Sequence, residues 1–162
     1  MKPSPSFACR SASSRGFTLV EALVALVVLS IGMLGIAALY VESLRAGRTA
    51  LVRSQAIVLA SDMADRIRAN REGSLNYAKV TDDAGTFDAD CEEDGASASC
   101  TPAIMAEHDK ALWDAEVVRA LPGGTAEILV DQSTAPDTYT IRVSWVEVGQ
   151  DGVVTYELRI QA

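Results

Sequence analysis

From Ala22 to Val41 the chain carries no charged residue, a run of about 20 residues rich in Leu, Val, Ile and Ala and free of proline. At about 1.5 Å of rise per residue, a helix of that length covers a hydrocarbon core of about 30 Å. The composition is 49% hydrophobic, and the excess sits between Phe17 and Val41. The remainder therefore reads as one modest polar domain behind an anchor. Net charge is −8, which disfavours non-specific nucleic-acid binding, because that needs clustered Lys and Arg to displace counterions. The charge is uneven. Lys2, Arg10 and Arg15 make the first segment purely basic, while the acids gather after Asp62 and most densely at Asp82 to Asp94. Under the positive-inside rule the first segment favours a cytoplasmic N-terminus. Arg45, Arg48 and Arg53 flank the other end and weaken that vote, although long domains cross membranes despite their charge.

The head of the run is unusual. A conventional secretory signal places a small-residue cleavage site after its apolar stretch, and Ala37–Ala38 leaves such a cut open. The run is longer than a typical signal core, however. Arg15-Gly16-Phe17-Thr18-Leu19-Val20-Glu21 also puts a glycine at the boundary and an acid just inside it. A carboxylate there either snorkels back to water or pairs with a cation.

The stretch R-G-F-T-L-V-E-A-L-V-A-L resembles the processing site of type IV prepilins and pseudopilins, matching their G-[FM]-[ST]-L-[ILV]-E pattern at every position. The resemblance implies that prepilin peptidase cuts on the cytoplasmic side after Gly16, removes residues 1–16 as a leader, and methylates the new amine of Phe17. That cut leaves a cation on Phe17 and a carboxylate on Glu21. Staggered parallel helices then bring one subunit's Glu21 near its neighbour's Phe17 amine, so each charge is paired on leaving the bilayer, where an unpaired one resists burial. Such a pair specifies register, and packing of the apolar helices, Phe17 to Val41, supplies stability. Cys9 falls in the leader, which leaves Cys91 and Cys100. An even count in an exported domain reads as a disulfide, closing about ten residues and worth about 2–3 kcal/mol on the chain-entropy model. With no Cys-x-x-Cys and a single histidine, His108, a zinc site is hard to build.

From Glu42 to about Arg71 the pattern stays helical and turns amphipathic. Val52, Ala56, Leu59, Ala60, Met63 and Ile67 recur at three- and four-residue steps, a stripe that must cover something, with Asp62, Asp65, Arg66 and Arg68 mainly off it. One long helix is expected, its first half in the membrane and its second packed on a sheet. Residues 70–103 lack periodicity and are rich in Gly, Ser and Asp, so a long connection is expected. Its acids do not follow the EF-hand spacing, which favours a solvated loop over a metal site. A second helix is expected from Asp109 to Leu121, with Asp109 as its cap and Pro122-Gly123-Gly124 as its stop. His108 is then a surface or helix-start residue. Three strands follow, at Ala126–Val130, Tyr139–Trp145 and Tyr156–Ile160, with Gly149-Gln150-Asp151-Gly152 as the turn between the last two. The class is α+β, a long N-terminal helix on a C-terminal antiparallel sheet, which is also the pilin architecture. The expected division is leader 1–16, membrane and assembly helix 17–41, amphipathic continuation 42–71, and α+β globular region 72–162.

The stretches Ser54 to Asn70, Leu121 to Gly124 and Tyr139 to Trp145 resemble the PilV-type minor pilins (type IV pilus modification proteins). Two features depart from major pilins. Ala38 stands where those commonly carry a helix-kinking proline, leaving Gly32 and Gly35 to permit any unwinding, and the cysteine pair lies upstream of the sheet, which puts a receptor-binding C-terminal loop in doubt. The resemblance implies a minor pilin in a tip or initiation complex that primes fibre growth. Its partners would be prepilin peptidase, other minor pilins and the major pilin. It would sit in the bacterial inner membrane by one helix, with a periplasmic C-terminal domain, before moving to the pilus; no cofactor, metal or nucleic acid is implied. A minor pseudopilin of type II secretion keeps the fold and changes the machine. A signal-anchored periplasmic enzyme needs a catalytic constellation, and the isolated His108, two paired thiols and no Gly-x-Ser-x-Gly or phosphate loop supply none, so the chain is expected not to be an enzyme.

Overall fold

The computed structural model describes residues 16–92, 99–147, 149 and 152–162. The expected leader up to Arg15, part of the acidic stretch, and Gln150 and Asp151 of the expected turn lie outside them. Helix α1 runs Leu19–Ala69 and α2 runs Pro102–Ala120, followed by β1 Thr125–Asp131, β2 Thr138–Val146 and β3 Val153–Gln161. The strands form one antiparallel sheet in the order β1-β2-β3. This is the α+β arrangement expected from the sequence. The chain divides into two compact units, residues 1–44 and 45–162, and α1 contributes to both.

In the second unit the predicted stripe is the core face of α1. Ala56, Leu59, Ala60, Met63 and Ile67 are buried together with Ala64, and Val52 packs at their edge. Ala56, Ala60 and Ala64 repeat every four residues and so lie in one row, where small side chains let a helix approach its neighbours closely. The core is completed by Trp113 and Val117 of α2 and by Ala126, Ile128, Tyr139, Ile141, Val143, Trp145 and Ile160 of the sheet. Alternation along β2 sends its other side chains to the opposite face. There Arg142 lies between Glu127 and Glu157 in register and donates to both at 3.1 Å. Arg142 first, and Arg159 second, hold the Glu157 carboxyl below its ordinary range.

The second helix begins at Pro102, not Asp109. Thr101 caps it, its Oγ1 accepting the Ile104 N–H at 3.4 Å, and Pro102 occupies the first turn, where its missing N–H costs nothing. Asp109 is instead a buried mid-helix acceptor for Arg66 Nη1 at 2.8 Å and for the Tyr77 hydroxyl. Trp113 ties α2 to α1 by donating Nε1–H to the Leu59 carbonyl at 2.9 Å. Leu121-Pro122-Gly123-Gly124 turns the chain from α2 into β1. Gly123 takes φ +60, and a Cβ on Gly124 would come within 2.5 Å of the Val117 carbonyl oxygen, so both positions require glycine.

The connection between the helices is more structured than its composition suggests. It holds 3₁₀ turns at Ser74–Tyr77 and Ala89–Cys91. Between them Lys79 exchanges both backbone hydrogen bonds with Ile128, at 2.9 and 2.8 Å, an antiparallel bridge on the outer edge of β1. The Lys79 side chain is wholly buried, with Nζ 2.9 Å from Asp114 and 3.2 Å from the Ala126 carbonyl. Cys91 and Cys100 are joined by a disulfide.

Candidate functional site

Helix α1 is started by Thr18. Its carbonyl accepts the Ala22 N–H at 3.2 Å, and its Oγ1 accepts the Glu21 N–H at 3.3 Å. Thr18-Leu19-Val20-Glu21 therefore has the sequence of a capping box, with Glu21 at the third helical position, where the helix dipole favours a negative charge. The sequence reading weighed Glu21 for pairing and missed the role of Thr18, although Thr-x-x-Glu ahead of an apolar run is a helix-start signature. The Glu21 side chain is exposed and makes no ion pair with any described residue.

Gly16 and Phe17 precede the helix. A side chain at Gly16 would meet no described residue within 4 Å, and Phe17 is 75% exposed. From Leu19 onward no residue of α1 is buried until Ala56, and the helix passes Gly32 and Gly35 without a break. Leu23, Val27, Leu34 and Leu39 all face outward. The segment is long and apolar enough to cross a membrane, and none of that window is covered by the protein itself. Apolar side chains on every side of a helix require lipid or other helices as surroundings. Ser30, the one hydroxyl within Ala22–Leu39, donates to the Leu26 carbonyl at 2.7 Å and so is satisfied inside the helix.

The candidate residues of the second unit are held in the fold and do not converge. Glu107 pairs with Lys110 at 2.7 Å, and Asp109 takes Arg66 and Tyr77. Burial first, and the bond to Asp109 second, push the Tyr77 phenol well above its ordinary value. Burial is the largest single effect on Arg66 and lowers it, but the hydrogen bonds to Asp109 and Asp62, with their charges, together outweigh it and raise Arg66. His108 is buried, contrary to the surface position expected, because the earlier start of α2 places it mid-helix against residues 86–91. No group of three or more His, Cys, Asp or Glu among the described residues is placed to hold a metal ion.

Residues 11–37 match the model of the prokaryotic N-terminal methylation motif, a motif that spans the cap, Glu21 and most of the apolar run. Over these residues the chain is similar to pilin-type sequences. Residues 38–111 match the Tt1218-like family, described as type IV pilin Tt1218. Through residues 11–111, then, the chain is similar to type IV pilins and to the prepilin methylation motif, and the two matches meet inside α1. The sheet lies beyond both, and its placement behind a long apolar helix is that of the pilin fold. No curated protein and no solved structure matches the chain.

Proposed function

We propose that the protein is a minor type IV pilin of the PilV type, which helps prime pilus assembly in a tip or initiation complex with other minor pilins and the major pilin. Glu21 carries the reading. It is an exposed carboxylate, without an ion pair among the described residues, at the head of a helix whose first half buries none of its apolar side chains, and it lies within the matched methylation motif. Prepilin peptidase cuts between Gly16 and Phe17 and methylates the Phe17 amine; no described residue crowds Gly16, which supports access. Residues 1–16 are the leader and Phe17 to Val41 the inner-membrane span. Residues 42–71 continue the helix, and residues 72–162 lie in the periplasm, where a Cys91–Cys100 disulfide persists. The work is structural and takes no cofactor. Glu21 of one subunit pairs with the Phe17 amine of the next, which fixes the stagger of stacked helices.

Two variants test this. Gly16→Val leaves the leader attached and the protein outside fibres. Glu21→Gln keeps a side chain suited to the capping box and removes only the charge. It is processed normally, yet its incorporation into fibres falls about tenfold or more, the effect of about 1.4 kcal/mol or more of lost pairing. Full incorporation of Glu21→Gln would sink the pairing argument. In a strain lacking the protein, fewer pili with unchanged secretion separates a pilus role from one in type II secretion.

A further inference from the structure

Residues 85–91 lie along α2 and are held there by few bonds. Thr86 N–H donates to the Glu107 carbonyl at 3.3 Å, and Asp88 N–H donates to His108 Nδ1 at 3.1 Å. The Phe87 ring lies 5.0 Å from the imidazole, tilted by 39°. Cys91, at the end of this segment, is tied through the disulfide to Cys100, which immediately precedes the Thr101 cap of α2. His108 itself is only 3% exposed. An imidazole accepts a hydrogen bond at Nδ1 only when neutral, with its proton on Nε2. When it is protonated, both ring nitrogens become donors, and Nδ1–H then opposes Asp88 N–H with no acceptor between them.

We propose that His108 is an acid-released latch, which holds residues 86–91 and the Cys91 side of the disulfide on α2 while neutral and frees them when protonated. Histidine is the side chain whose charge changes between pH 5 and 8, and this chain has one. The charges nearby are Asp88 and Asp90 on the facing segment and Glu107, Asp109 and Lys110 beside His108 on α2; beyond them stand Asp83 and Arg66. Most are engaged elsewhere. Asp88 Oδ1 accepts Asp90 N–H and Asp90 Oδ2 accepts the Ser99 hydroxyl. Lys110 holds Glu107 and reaches Asp83, and Arg66 and Tyr77 hold Asp109. The sign is fixed by the acceptor role: the latch is closed at neutral pH and opens as pH falls.

The test is hydrogen exchange at the Thr86 and Asp88 amides of the full chain in detergent micelles, at pH 7.5 and 5.0, corrected for intrinsic rates. The comparison is with His108→Asn, whose Oδ1 stands near the position of Nδ1 and accepts the same bond without titrating. Protection at both amides in the unaltered chain is expected to fall about tenfold, in step with the single imidazole's ¹⁵N signals, and to stay level in His108→Asn. Unchanged protection in the unaltered chain, or an equal fall in the variant, overturns the proposal. So do ¹⁵N shifts at pH 7.5 that place the neutral ring's proton on Nδ1, a readout that does not depend on the variant folding.

Discussion

Tyr77 shows how a single side chain binds three parts of the second unit together. It sits in the first 3₁₀ turn, donates its hydroxyl to Asp109 of α2, and receives Asn70 Nδ2 from the end of α1 at 3.4 Å. Its phenol is held neutral above the ordinary tyrosine value of 10.0. Above pH 10 the unfolded chain therefore releases a proton that the folded chain keeps, and stability falls as pH rises. The contribution is fully present below pH 10 and is lost on the alkaline side. Tyr77→Phe is expected to be less stable at pH 7, since Asp109 loses a donor, yet to show a flatter decline between pH 10 and 11.5 in urea unfolding. Parallel pH profiles would show that Tyr77 does not carry the alkaline sensitivity. This residue was invisible in the sequence because its partners lie on other elements, and one Tyr in a Gly- and Asp-rich stretch has no periodicity to betray it. Thr18 and Glu21 are the opposite case: both partners lie within one turn, so the cap could have been read directly.

At the scale of elements, repetition governs what is legible. The α1 stripe and the alternation of Tyr139, Ile141, Val143 and Trp145 each repeat over several positions, and those residues are buried where expected, with Val52 at the edge. The expected start of α2 rested on Asp109 as its cap, whereas Thr101 caps it, and that difference puts His108 in the interior instead of at the surface. The Lys79–Ile128 bridge depended on a pairing 49 residues apart that no local pattern encodes. That bridge brings an ion pair between a fully buried lysine and an Asp114 side chain that is 21% exposed. Asp114→Ala strands a buried ammonium and is expected to cost about 2–4 kcal/mol, discounted from a fully buried pair because Asp114 touches water. Lys79→Met leaves a carboxylate that can turn to solvent and is expected to cost about 1 kcal/mol or less. Urea unfolding of the two variants checks the order, and an equal or reversed loss would mean the pair is not what the bridge depends on.

At the scale of the whole molecule, one chain joins a segment with no core of its own to a unit with a complete one. The first 25 or so residues of α1 bury nothing in the monomer, whereas the second unit packs two helices and a sheet around Trp113. A helix left bare in this way is stable only in lipid or among other helices, and the proposed life of the protein offers both in turn: membrane first, fibre second. On that proposal, the passage from one to the other depends on the new amine at Phe17. Intact mass of the protein recovered from membranes, with and without prepilin peptidase, measures that amine directly. The account predicts loss of residues 1–16 plus the mass of one methyl group, seen only when the peptidase is present. A full-length, unmethylated mass in both strains would make this a plain signal-anchored protein and contradict the assembly role.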